Sequence, residues 1–209
     1  MTPSRPIFQS TQQAISFSYM ISSLPARDGG ALGKLLERMK IEATGMQEIR
    51  ESSSVSFAGL TDMEVRGQCA MVRAAVENLL PSPESWAIRS RFGVAYIDRA
   101  PDKTIKSASF GPDRTRSMRQ LANYVAPALA PLSDITALML VARVCGECDE
   151  LRPTFRAIEA DTGTPKSTAE RAEKKVKHRV RMLINLGIDR LTPIFQRDGL
   201  VATEEEALG

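Results

Sequence analysis

The residues with the clearest chemical potential lie between positions 153 and 186. Gly163 divides this stretch, and a threonine and a proline follow it before a run of polar and basic side chains. Threonine is a common helix cap, and proline is favoured at the first helical position, so Thr164 is expected to cap a helix that Pro165 begins. The pattern predicts a short helix, a tight turn and a longer helix. This is a helix-turn-helix, in which the second helix enters the major groove of DNA.

The inward-facing residues agree with this prediction. The turn requires a residue that tolerates a positive φ, and Gly163 supplies it. Ile158 is the buried aliphatic residue expected near the centre of the first helix. Small and aliphatic side chains recur at three- and four-residue steps along the second helix and predict its buried stripe. They are Ala169, Ala172, Val176, Val180 and Leu183.

The outward-facing residues would contact DNA in two ways. Residues in the first turns of the second helix would read base edges, whereas basic residues further along would contact phosphates and add affinity without sequence information. The predicted base-reading residues are Lys166, Ser167, Thr168, Glu170 and Arg171. The predicted phosphate-contacting residues are Lys174, Lys175, Lys177, His178 and Arg181.

The order Ile158, Gly163, Ser167-Thr168 and Arg171 resembles the region-4 helix-turn-helix of bacterial sigma factors and related regulators. Upstream, residues 80–93 (LPSPESWAIRSRFG) resemble the helix that precedes the helix-turn-helix in the same family. About sixty residues separate this helix from the helix-turn-helix here. Glu159 and Ala169 depart from the alanine and the valine or isoleucine usual in that family. Together with residues 60–66, the order of these segments along the chain resembles that of prophage and phage late-gene transcription regulators, including Q-type antiterminators. The resemblance implies binding to double-stranded DNA and then to bacterial RNA polymerase.

The remaining periodicity is mainly helical. It predicts helices over 7–24, 32–49, 62–80, 82–93, 112–129 and 133–144, and a small β-hairpin within 94–110. Thr61 and Glu64, three residues apart, predict a capping box at the start of the third of these helices, and Pro193 is expected to limit the helix that follows the turn. We therefore expect a multi-helix bundle with a C-terminal helix-turn-helix. The predicted divisions are an N-terminal helical segment (1–58), a central helical core (59–150), the DNA-binding region (151–195) and a flexible acidic tail (196–209).

Composition excludes several classes of protein. No apolar run approaches the ~20 residues that a membrane span requires, and we expect no signal peptide. Three cysteines in such a chain predict reduced thiols and a cytoplasmic location. No phosphate-cradling loop, nucleophile elbow or paired carboxylates are evident, so we expect neither an enzyme nor a cofactor. Cys145 and Cys148 form one C-x-x-C pair, which with Cys69 and His178 is only a weak zinc candidate.

Three functions remain open on these grounds. The chain could be a phage-type antiterminator that binds DNA and then RNA polymerase, or a helix-turn-helix repressor or activator that binds as a dimer. Alternatively, it could be an all-helical protein-interaction module whose basic helix meets an acidic partner without binding DNA. The residues fix neither the target site nor the oligomeric state.

Overall fold

A computed structural model describes residues 6–22, 60–100, 102 and 104–203 of the 209-residue chain. The helix predicted over 32–49 lies outside these residues. Two compact units form the described part: Met1–Leu80 with Ile188–Gly209, and Pro81–Gly187. The boundaries predicted after residues 58, 150 and 195 do not coincide with this division.

The unit that contains both chain ends is built on α1 (Thr11–Ser22) and α2 (Asp62–Asn78). The predicted capping box at the start of α2 is confirmed, because the Thr61 hydroxyl accepts from the Glu64 N–H while the Glu64 carboxylate accepts from the Thr61 N–H. Of the apolar stripe predicted for α2, Val65, Cys69, Val72 and Val76 are buried, whereas Leu79, just after the helix, is 56% exposed.

The second unit holds the other described elements. They are α3 (Ser82–Phe92), β1 (Ala95–Arg99), β2 (Ile105–Phe110), α4 (Pro112–Val125), a 3-10 turn (Ala126–Leu129), α5 (Asp134–Cys145), a second 3-10 turn (Asp149–Leu151) and α6 (Phe155–Thr162). Helix α7 (Lys166–Arg197) begins in this unit. The mainly helical fold is confirmed, and so is the hairpin, in which β1 and β2 pair antiparallel with an irregularity between Asp98 and Arg99.

One hydrophobic core joins α4, α5, α6 and the first part of α7. Leu121 and Leu140 are completely buried in it, and Trp86 of α3 packs against its edge. Ile158 and the stripe of α7 complete the same core, so the two helices of the motif are held by helices that lie earlier in the chain. The geometry of the motif therefore depends on the whole unit.

A buried arginine, only 1% exposed, ties the ends of two helices together. The guanidinium of Arg114 donates to the carbonyls of Ser90, Arg91, Gly93 and Cys145 and to the carboxylate of Glu147. Carbonyls at a helix C-terminus lack partners within the helix. Arg114 satisfies those at the ends of α3 and α5 while its guanidinium lies 4.9 Å from the centre of the Phe110 ring.

Two expectations for the C-terminal region are wrong. We expected Pro193 to limit the helix, but α7 continues through it to Arg197. Proline at this position removes one backbone hydrogen bond, and burial of Leu191 and Phe195 on either side offsets that loss.

The flexible tail predicted from residue 196 does not begin there. Gly199 adopts φ 70°, and the N–H groups of Gly199 and Leu200 bond the carbonyls of Gln196 and Phe195. This is a Schellman cap. It leads Leu200 and Val201 into buried positions, where Val201 bridges to Phe8 in parallel. The acidic residues 204–206 lie outside the described residues.

Candidate nucleic-acid interface

The corner between α6 and α7 has the geometry that the sequence predicted. Thr154 caps α6 through the Ala157 N–H, and α6 ends at Gly163, whose φ of 67° and ψ of 6° lie in the left-handed region. The Gly163 N–H bonds the Glu159 carbonyl at 2.9 Å, which is the hydrogen bond of an αL helix terminus. The predicted helix-turn-helix geometry is confirmed.

Thr164 has a different role from the one predicted. Its hydroxyl lies 2.9 Å from that of Thr162 and 3.0 Å from that of Thr136 on α5, instead of capping α7. Thr162 also donates to the Ile158 carbonyl, and Ser133 bonds Thr136. The hydroxyl groups therefore form a continuous chain from the start of α5 to the turn. This chain fixes the corner against the neighbouring helix.

The inward stripe of α7 is buried as predicted. All five of its predicted members are at most 6% exposed. Alanine at positions 169 and 172 supplies the small members of this stripe, and the larger residues at 176, 180 and 183 belong to the same core further along. The opposite side of the helix is left to solvent.

The predicted base-reading residues do not all share one environment. Ser167 and Arg171 are exposed at the leading end of α7, whereas Thr168 and Glu170 are half-buried at its flanks. The Lys166 ammonium lies 3.8 Å from the Glu170 carboxylate, so these two side chains partly neutralise each other. Of the five predicted base-reading residues, Ser167 and Arg171 are thus the two that are exposed and lie outside this ion pair.

The predicted phosphate-contacting residues are all exposed. Five exposed residues from Ser167 to Arg181 follow one another at steps of four and three, and this spacing puts them on one face of a helix. The series is Ser167, Arg171, Lys174, His178 and Arg181. We call it the outer stripe. At 1.5 Å per residue it extends for about 21 Å, and Lys175 and Lys177 flank it.

Arg179 is held away from this stripe. Its guanidinium donates to the Tyr124 hydroxyl at 2.7 Å and lies 5.4 Å from the centre of the Tyr124 ring. Arg179 therefore fastens α7 to α4. Glu173 is likewise engaged, because its carboxylate accepts from Arg143 at 2.9 Å.

Two basic residues near the motif were missed by sequence reasoning. Arg143 and Arg156 line a groove beside Lys166, at the N-terminal end of α7. Arg143 could have been suspected, because it interrupts the otherwise apolar run 135–145. Arg156 carries no such signal, because only the fold brings the start of α6 next to the start of α7.

The cysteine pair does not form a metal site with other described residues. Burial raises the pKa of the Cys145 thiol to about 12, although a metal ligand would have to be a thiolate. Cys148 is half-buried, and all three cysteines are free. Across the described ranges, no three His, Cys, Asp or Glu side chains are grouped so that they could hold a metal ion.

Among the helices that the structure describes, none alone is both long and apolar enough to cross a membrane. The bent pair Pro112–Leu129 and Asp134–Cys145 meets that test only on length and composition. Comparison of the sequence with protein-family models and with curated proteins gives no match.

Proposed function

We propose that this chain is a sequence-specific regulator that binds double-stranded DNA through α6 and α7. The observation that carries the proposal is the combination of a left-handed corner at Gly163 with an exposed outer stripe on the helix that follows it. The corner orients the second helix outward from a fixed scaffold. The stripe supplies the positive charge that a duplex requires.

The division of roles follows from the geometry. Ser167 and Arg171 lie at the leading end of α7, where a recognition helix reaches base edges. Arginine can bond guanine in a bidentate manner, and such a pair contributes about 1–3 kcal/mol of discrimination. Lys174 and Lys175 lie further along the helix, so they would contact phosphates on the flanks of the groove. Affinity and sequence preference are therefore expected to depend on different residues.

Arg171→Ala tests the base-reading role. A selected high-affinity duplex and a random duplex of equal length are titrated by fluorescence anisotropy. Arg119→Ala serves as the matched control, because Arg119 is an exposed arginine on α4. Arg171→Ala should lose binding chiefly on the selected duplex, by about ten- to a hundred-fold for a bidentate contact. An equal loss on both duplexes would contradict base reading by Arg171.

Lys174→Gln and Lys175→Gln test the phosphate-contacting role. Each lost phosphate contact reduces the slope of log affinity against log salt by about 0.9. Both variants should weaken binding equally on any duplex. If wild-type protein binds no duplex even at low salt, DNA binding is excluded and the protein-interaction module becomes the better reading.

Within this class we favour a cytoplasmic late-gene antiterminator that acts on RNA polymerase. The support is the resemblance of residues 60–66, 80–93 and 154–171 to phage regulators, together with three free thiols. A pull-down of RNA polymerase with and without promoter DNA tests it. Capture that requires the DNA site favours antitermination. Binding to a palindrome as a dimer, without capture of polymerase, favours a repressor or activator.

A further inference from the structure

An open groove with a volume of about 570 Å³ lies beside the first residue of α7. Three of its lining side chains are cationic and one is a carboxylate. The lining residues are Arg143, Thr154, Phe155, Arg156, Glu159 and Lys166. All belong to the unit 81–187, so the groove is formed within a single packed body.

Arg143 is held in a defined orientation. Its guanidinium stacks 4.0 Å from the centre of the Phe155 ring, its Nε donates to Glu173, and its Nη1 donates to the Pro153 carbonyl at 3.0 Å. The Nη2 group has no acceptor among the described residues. Three of the five N–H donors of this positioned, half-buried guanidinium, two of them on Nη2, are thus left for an outside acceptor. An arginine prepared in this way loses little rotamer freedom on binding.

The N–H donors of the groove identify the kind of acceptor. Glu173 offsets the charge of Arg143, and Glu170 lies 3.8 Å from Lys166. Arg156 is exposed and forms no ion pair with the residues that the structure describes. Glu159 also lines the groove, so the three cations are matched by three carboxylates. What the groove offers an anionic oxygen is therefore its unused N–H donors, on Arg143 and on the exposed Arg156. Guanidinium groups bind phosphate oxygens well because their paired N–H groups match the spacing of those oxygens.

We propose that this groove seats one backbone phosphate of the bound duplex, with Arg143 and Arg156 as its donors. The proposal rests on the proposed function and adds residues outside the outer stripe. The groove is open and adjoins Lys166, one residue before Ser167. A phosphate there would belong to the same duplex whose bases meet Ser167 and Arg171. Lys166 then contacts the backbone and does not read a base.

Arg156→Gln is the direct test, because this side chain is exposed and its loss should leave the fold intact. Arg119→Gln makes the same change of charge on α4 and is the matched control. Binding is measured on the selected and random duplexes over 50–200 mM salt. Arg156→Gln should reduce the salt slope by about 0.9, which makes the affinity loss over that range about 3.5-fold smaller than in wild type. Arg119→Gln should leave the slope unchanged.

The location of the contact is tested with duplexes that carry one neutral methylphosphonate at successive backbone positions. One position should weaken binding by wild type more than binding by Arg156→Gln, because the variant has already lost the Arg156 part of that contact and keeps only the Arg143 part. Additive losses at every position would overturn the proposal. So would an unchanged salt slope in Arg156→Gln while wild type still binds DNA. Absence of any DNA binding by wild type would instead refute the proposed function itself.

Inorganic phosphate distinguishes a DNA phosphate from a free anion. The Arg143 Nε–H resonance is followed by NMR while phosphate, or chloride at equal ionic strength, is added to the DNA-free protein. The proposal expects equal, non-saturating shifts with the two salts, because the open groove binds phosphate only as part of a duplex. A saturable shift specific to phosphate would mean a free-anion site and would overturn the assignment to DNA.

Discussion

Substitution of Gly163 tests whether the corner between α6 and α7 sets the DNA-binding geometry. An ideal Cβ at this position meets no atom within 4 Å, so the cost of a side chain comes from the backbone conformation and not from crowding. At φ 67°, an L-residue other than glycine loses about 1–2 kcal/mol. Asparagine tolerates this region better than alanine or a β-branched residue. We therefore expect the order of stability Gly163, Gly163→Asn, Gly163→Ala, Gly163→Val.

The assay uses Trp86, the only tryptophan in the chain, which packs against the core of the unit that holds the corner. Urea unfolding followed by its fluorescence should give a loss of about 1–2 kcal/mol for Gly163→Ala. In a domain of roughly 100 residues, such as the unit 81–187, a loss of 1 kcal/mol of stability corresponds to a fall in Tm of about 4–8 °C. Binding to the selected duplex should fall in the same order as stability. If alanine is as stable as glycine, or costs the same as asparagine, then the residue is not left-handed in solution and the reasoning fails.

Three further predictions concern other parts of the described structure. Arg114→Met should lower the free energy of unfolding by about 3 kcal/mol or more, since it removes the donor of Glu147 and of three carbonyls and leaves the Cys145 carbonyl with Arg91 alone; a change below 1 kcal/mol in urea unfolding would contradict this role. At pH 8, iodoacetamide should modify Cys148 well before Cys145, because burial raises the pKa of Cys145 to about 12; equal rates by mass spectrometry would refute the burial. Hydrogen bonds from the Thr61 backbone and side chain lower the pKa of Glu64, so its stabilising effect is present above the ordinary value of 4.5 and is lost as the pH falls through the lowered one. Glu64→Gln should therefore flatten the acid limb of the stability profile, and an unchanged limb would count against the capping box.

The local features of the fold were predictable because each depends on neighbouring residues. The capping box requires only Thr61 and Glu64, and the corner requires only a glycine after a short amphipathic helix. The buried stripe of α7 follows from helical spacing alone. In these cases the propensity of the backbone and the tertiary packing favour the same conformation.

The features that failed depend on contacts distant in sequence. The helix continues through Pro193 because Leu191 and Phe195 are buried against residues distant in sequence, and no local pattern predicts that burial. The Thr136–Thr164 bond joins residues 28 positions apart, which explains why Thr164 was taken for a simple cap. The groove at the start of α7 is formed by α5 and α6 together, so Arg143 and Arg156 could not be paired before the fold was known.

The positive charges on α7 repel one another and lower the stability of the free protein, and a polyanionic partner would relieve this repulsion. Residues 166–181 carry seven lysines and arginines but two glutamates, and both glutamates are already paired, with Lys166 and Arg143. Lys175 lies four residues from both Arg171 and Arg179, and like charges at this spacing destabilise a helix by about 0.2–0.5 kcal/mol per pair. Lys175→Glu converts both repulsive pairs into attractive ones. It should raise the Tm of the free protein, by calorimetry at low salt, while weakening DNA binding. A fall in Tm would contradict the repulsion between these charges, and unchanged DNA binding would mean that this side of the helix faces solvent without a partner.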